Sequence, residues 1–153
     1  MVDAVFFDTS VLVAGSVDLG EASVHAMRAM DMVARGAFRT PLTAWHCCLE
    51  FYSVVTRLPG EYRLTPSDAL RLLESEVLER MRVVELPARA RLGFLRSAGQ
   101  DGVAGGRVYD AHIGEVAWRA GAQLVVTENV RHFQSLLRHG VRVVRSSEIA
   151  TVG

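Results

Sequence analysis

The chain has 153 residues, 50% of them hydrophobic, and its 17 basic and 17 acidic side chains cancel to a formal charge of zero. All 17 basic residues are arginine, which excludes chemistry built on a lysine ammonium: Walker-type phosphate loops, Schiff-base catalysis and the usual aspartyl-phosphate enzymes. Zero net charge gives no global attraction to nucleic acid and leaves only a local basic patch as a route to it.

The length suits one domain over residues 1–153 with one sizeable core. No apolar stretch approaches the roughly 18 residues of a membrane span and no basic leader precedes one, so a soluble, cytoplasmic protein with no membrane partner is expected. Cys47 and Cys48 are sequence neighbours that would point about 100° apart on a helix, poorly placed to bridge each other. They read as inert core thiols in a reducing compartment.

In chain order, residues 3–8 predict a short strand ending on Asp8. Residues 21–35 predict a helix stopped by Gly36 in the left-handed conformation. Residues 37–41 read as a second strand, and 43–57 as a helix that Pro59-Gly60 terminates. Thr65-Pro66-Ser67-Asp68 is a strong helix start, with a cap, a proline at the first position and an acid three after the cap. That helix runs to about residue 81. Residues 82–86 predict a strand, Pro87 opens a helix to about residue 97, and GQDGVAGGR is a glycine-rich loop. A helix over 108–120 stops at Gly121, followed by strand 123–127, helix 130–138 and strand 141–144. This alternation predicts an α/β protein with a parallel sheet covered by helices on both faces. Function then belongs at the carboxyl ends of the strands.

Asp8 and the segment Thr127-Glu128-Asn129 both sit at such ends. A carboxylate closing a buried strand faces a crevice or caps the turn beginning near Thr9. Glu50 lies mid-helix in HCCLEFYSVV among apolar neighbours, and a buried glutamate needs a partner. Asp110 in GGRVYDAHIGEVAWRAG stands near a helix N-terminus beside the glycine-rich loop, where it also compensates the dipole. Asn129 reads either as part of a site or as the cap of the following helix, two roles that are compatible.

The segments FFDTSVLV, LEFYSVVTRLPGEYRLTPSDA and GGRVYDAHIGEVAWRAGAQLVVTENVRHF together resemble the PIN-domain nucleases, and among them the VapC-type toxins of toxin–antitoxin pairs. Each motif is short; their order and spacing from residue 5 to residue 133 make the resemblance specific. It implies a three-layer α/β/α sandwich around a central parallel sheet. It also implies Asp8, Glu50 and Asp110 as the family's first three acids and metal ligands, with Ser10 and Thr127 as supporting hydroxyls. At the fourth catalytic position Asn129 stands where many members carry aspartate, in a variant followed by Arg-His-Phe, and Glu128 is an adjacent source of charge.

The implied activity is Mg²⁺- or Mn²⁺-dependent endoribonucleolytic hydrolysis of RNA. Oxygen ligands suit such hard ions, which activate water and stabilise the leaving oxygen. His46, four residues before Glu50, reads as a packed or supporting histidine, and His132 as a structural residue of its motif. Arg107 and Arg131 flank Asp110 and Asn129 as candidate RNA-phosphate contacts, or as solvated surface. Two partners are implied besides RNA: a cognate antitoxin, and a second copy of the chain through the greasy helix bearing Phe51, Tyr52, Val54 and Val55.

Other readings are a catalytically weak PIN-fold binding module and a PIN nuclease of RNA processing outside any toxin–antitoxin pair. A haloacid-dehalogenase-like phosphatase also places an acid after a strand. It requires a second acid where Ser10 stands, and a lysine that this chain lacks.

Overall fold

The computed structural model describes residues 2–151. Its strands are β1 (Ala4–Phe7), β2 (Thr40–Ala44), β3 (Arg82–Val84), β4 (Leu124–Val126) and β5 (Arg142–Val144). They form one sheet in the order β3-β2-β1-β4-β5, with every neighbouring pair parallel. Val5, Phe6, Phe7 and all of β4 are buried, the continuous apolar run expected where both faces of a parallel sheet are covered.

The covering helices are α1 (Thr9–Ser16), α2 (Val24–Ala34), α3 (Trp45–Val55), α4 (Pro66–Leu73), α5 (Ala88–Gln100) and α6 (Arg107–Arg119), with a 3₁₀ segment over Val130–His139. The path β1→β2→β3 runs one way across the sheet, and β3→β4→β5 runs back. Right-handed crossovers therefore place α1–α4 on one face and α5, α6 and the 130–139 segment on the other. The packing agrees: α1 meets α2 and α3, α3 meets α4, and α6 meets α5 and the 3₁₀ segment. The result is a three-layer α/β/α sandwich. The direction in which successive strands are added reverses between β1 and β4, the switch point at whose carboxyl ends an open α/β sheet forms its crevice.

Several elements depart from the sequence-based expectation. α1 is a full helix where only a turn near Thr9 was expected. β2 lies at 40–44 rather than 37–41, with Pro41 inside it opposite Val5. β3 begins to pair only at Leu42, so Pro41 sits on an edge where a missing N–H is tolerated. Thr43 belongs to this strand and donates its hydroxyl to the Phe7 carbonyl at 2.9 Å; it does not open α3. The α4 start is as predicted, with the Thr65 hydroxyl accepting from the Asp68 N–H, but the α-helix ends at Leu73 and continues as a π-helical turn over Glu74–Leu78.

The 130–139 segment is 3₁₀ rather than α. Phe133 and Leu136, its buried residues, lie three apart and so share one face at three residues per turn. Of the four residues expected to make α3 greasy on its outside, Phe51 and Val55 are fully buried core. Val54 is partly buried against that core, and only Tyr52 is exposed.

Candidate active site

Asp8 follows β1 directly and is only 4% exposed. Its backbone carbonyl starts α1, accepting from the Val11 and Leu12 N–H groups at 3.0 and 3.2 Å, while its side chain makes no cap. The carboxylate is engaged elsewhere. Oδ2 accepts from the Thr127 hydroxyl at 2.7 Å and the Ser10 hydroxyl at 2.9 Å. Those hydroxyl oxygens accept in turn from the backbone N–H groups of Asn129 and Glu128, each at 3.0 Å. The β4–3₁₀ turn thus feeds two relayed hydrogen bonds into one oxygen, and Oδ1 is left without a side-chain donor among the described residues. Burial pushes the Asp8 carboxyl above its ordinary value; the Thr127, Ser10 and Thr9 hydrogen bonds pull it back, and the Asp110 charge adds to the rise. No cationic side chain pairs with Asp8 among the described residues.

Glu50 is not buried as expected: its side chain is 39% exposed and opens on the crevice. It still has a partner, since the Thr9 hydroxyl donates to Oε1 at 3.0 Å. His46 Nε2 lies 3.7 Å from the same oxygen, and His46 Nδ1 stands 2.7 Å from His112 Nδ1. Asp110 is in the first turn of α6 with its side chain 34% exposed, and Oδ2 is 2.8 Å from His132 Nδ1. His132 is thereby the orienting partner of Asp110. Thr9 and His112 were not singled out from the sequence, because their bonds join residues 41 and 66 positions apart and leave no local signal.

The remaining candidates divide. Asn129 is exposed; its side chain makes no capping bond, so the capping role expected for it is not observed. Glu128 turns away: Oε1 accepts from the Ser146 N–H at 2.9 Å, and its carbonyl accepts from Arg145 at 2.7 Å. Arg107 and Arg131 are exposed, and neither has an ion-pair partner among the described residues. Cys47 and Cys48 are buried and unbridged, and burial pushes their thiols up to about 12 and about 11. They are inert, as expected.

Among the described residues, no three His, Cys, Asp or Glu side chains stand close enough to hold an ion by themselves. Asp8 and Asp110 are within electrostatic reach of each other, and Glu50 is tied through Thr9 to the residue following Asp8. This is an open, oxygen-donor arrangement centred on a buried carboxylate without a cation. Its chemistry fits a hard divalent ion that retains several waters.

A model of the PIN domain matches residues 4–131. The chain belongs to the PIN domain family. It is 35% identical over 136 residues to "Ribonuclease VapC40" of Mycobacterium tuberculosis, an alignment covering 89% of this chain and 94% of that protein. It is 35% identical over 113 residues to "Ribonuclease VapC27" of the same species, covering 74% and 80%. Among solved structures, DNA-bound VapBC from Salmonella typhimurium superposes with a TM-score of 0.64 at 19% identity, covering 95% of this chain and 99% of that one. Mycobacterium tuberculosis VapC20, described as a Sarcin-Ricin loop cleaving toxin, gives 0.60 at 16% identity, covering 80% and 87%. These two share the fold.

Proposed function

We propose that this protein is a Mg²⁺- or Mn²⁺-dependent endoribonuclease, the toxin of a toxin–antitoxin pair, with Asp8, Glu50 and Asp110 as its metal-holding acids. The observation that carries the reading is the buried Asp8 carboxylate, whose side-chain donors all meet one oxygen, beside a second acid and without a cationic partner among the described residues. A buried charge of this kind is retained only where something compensates it. The family membership and the two ribonuclease relatives support the same reading.

When bound, the ion supplies a water of lowered pKa and neutralises charge on the phosphate. The chain's own residues do the rest. Ser10 and Thr127 hold Asp8 in one orientation, Thr9 holds Glu50, and His132 holds Asp110. Asn129 offers a neutral amide at the crevice mouth. Arg107 and Arg131 contact phosphates on either side of the scissile bond, where free guanidinium groups serve RNA.

The cognate antitoxin is the proposed protein partner, and a second copy is another. Trp45, Leu49 and Tyr52 on α3, with Leu92, Leu95 and Tyr109, leave apolar side chains exposed of the kind that mark interfaces. A sedimentation mass of twice 16.8 kDa is expected. The decisive test is cleavage of RNA by purified protein in Mn²⁺. Asp8→Asn, Glu50→Gln and Asp110→Asn should each fall to background while keeping the wild-type circular dichroism spectrum. Undiminished cleavage by a folded triple variant overturns the reading.

A further inference from the structure

We propose that Glu128 and Arg145 are positioning residues for Asp8. They brace the turn over residues 127–129, whose hydroxyl and amide groups set the direction of the Asp8 carboxylate. The inference rests on Asp8 holding a divalent ion in the proposed site, and it makes Glu128 a strut instead of a source of charge for that ion.

The turn controls both side-chain donors to Asp8. Thr127 gives its hydroxyl to Oδ2 at 2.7 Å. The Glu128 N–H, at 3.0 Å, fixes the Ser10 hydroxyl that gives the same oxygen its second bond at 2.9 Å. A displaced turn therefore disturbs both bonds together. The Thr127 N–H closes the β4–β5 ladder on the Val144 carbonyl at 3.0 Å. Just beyond it, residues 145 and 146 grip Glu128 twice. The Arg145 guanidinium donates to the Glu128 carbonyl at 2.7 Å, and the Ser146 N–H donates to Glu128 Oε1 at 2.9 Å. Both lengths are those of charge-assisted bonds.

The segment that does the gripping is itself anchored. Ser146 and Ile149 are buried, the 3₁₀ segment that starts at Ser146 packs on α2, and the Arg145 N–H donates to Glu148 Oε1 at 3.1 Å. The brace thus ties an exposed turn, with Asn129 at its end, to packed structure. Such outer partners of a metal-holding carboxylate tune its orientation and affinity. With the brace cut, Asp8 is correctly aimed for only part of the time, and the apparent affinity falls by that fraction.

The test sets two conservative replacements against each other. Glu128→Gln keeps an acceptor oxygen for Ser146 and loses the charge; Glu128→Asp keeps the charge and, one methylene shorter, loses the reach. By calorimetry, Glu128→Ala and Glu128→Asp should each weaken Mn²⁺ binding about fivefold, the scale of one net hydrogen bond, while Glu128→Gln stays within about twofold of wild type. Arg145→Ala, at an exposed position, should weaken binding in the same direction. In metal-free protein, amide hydrogen exchange should quicken at residues 128 and 129 in Glu128→Ala, stay at wild-type rates at Val125 and Val126, and be restored by Glu128→Gln. Binding that follows charge, tight with Asp and weak with Gln, makes Glu128 a contributor to the ion and overturns the proposal. So does wild-type affinity in Glu128→Ala, or exchange that quickens equally through β4, the mark of general loosening. None of these readouts uses RNA. The expected order of variants in a protein that cleaves nothing sinks the ribonuclease reading and supports the brace, whereas RNA cleavage with equal Mn²⁺ affinity in all variants sinks the brace alone. A wild type that takes up no Mn²⁺ sinks the metal reading, and the metal-free exchange rates then decide the brace.

Discussion

Asp8 is a carboxylate whose charged form the fold disfavours. Its folded pKa is raised by burial and by Asp110, so its contribution to stability is fully present below the unfolded value and is lost as pH rises through the folded one. At neutral pH, without metal, Asp8→Asn should therefore raise the melting temperature, and the advantage should vanish as pH falls below about 4. Calorimetric melts of both proteins across that range check the sign; a variant destabilised at pH 7 contradicts it. Asn129 supplies a second test at this scale. If the acids hold the ion, Asn129→Ala keeps measurable cleavage, and Asn129→Asp lowers the Mn²⁺ midpoint by adding charge at the crevice mouth. An Asn129→Ala protein that is folded but inactive makes the amide essential. Asp8 was legible as a residue because a carboxylate closing a buried strand is anomalous, and Glu50 because it interrupts an apolar helix. Their supports were not: Thr9 acts only through a contact made by folding, and a sequence pass has no reason to prefer it to other hydroxyls.

The strand–helix alternation was readable from apolar runs and stops, and Gly36 and Gly121 do take the left-handed conformation that the stops at those residues required. Boundaries failed where a tertiary contact outvoted a local signal. Pro41 suggested the end of a strand, yet lies within β2 because only β1 flanks it there. α1 was missed because it is apolar nearly throughout, with Val11 to Ala14 all buried, so no amphipathic period marks it. Its Gly15 is a specific device. A Cβ there would run into Met30 Cγ and stand 2.8 Å from the Ala26 carbonyl oxygen, so α1 and α2 approach as closely as they do because the side chain is absent. Gly15→Ala must move backbone as well as Met30, and overpacking of this kind costs about 1–3 kcal/mol. Urea unfolding should show a lower midpoint at unchanged m-value; an unaltered midpoint means the helices separate freely.

Zero net charge hides a local imbalance, because six arginines are ion-paired with acids while Asp8 has no cationic partner among the described residues. Asp8 and Asp110 lie within electrostatic reach of each other and Glu50 is tied to Thr9, while Arg107 and Arg131 are exposed with no ion-pair partner among the described residues. Removing both arginines by alanine should weaken RNA binding across sequences and flatten its salt dependence by about 1.4 in log–log slope, from ~0.7 per phosphate contact on a single strand. An unchanged slope returns them to solvated surface. The same imbalance predicts a link between ligand and fold. Like charges near the β1–β4 switch point oppose the metal-free native state, and a divalent ion bound only by the folded crevice stabilises it by mass action. At a hundredfold excess over Kd that is about 2.7 kcal/mol, or roughly 5–10 °C in melting temperature for a protein of this size. Asp8→Asn should start from a higher metal-free melting temperature and gain almost nothing from Mn²⁺, so the two melting curves should converge or cross as metal is added. Parallel rises in wild type and variant would place the ion elsewhere on the protein, and with it the chemistry assigned to Asp8.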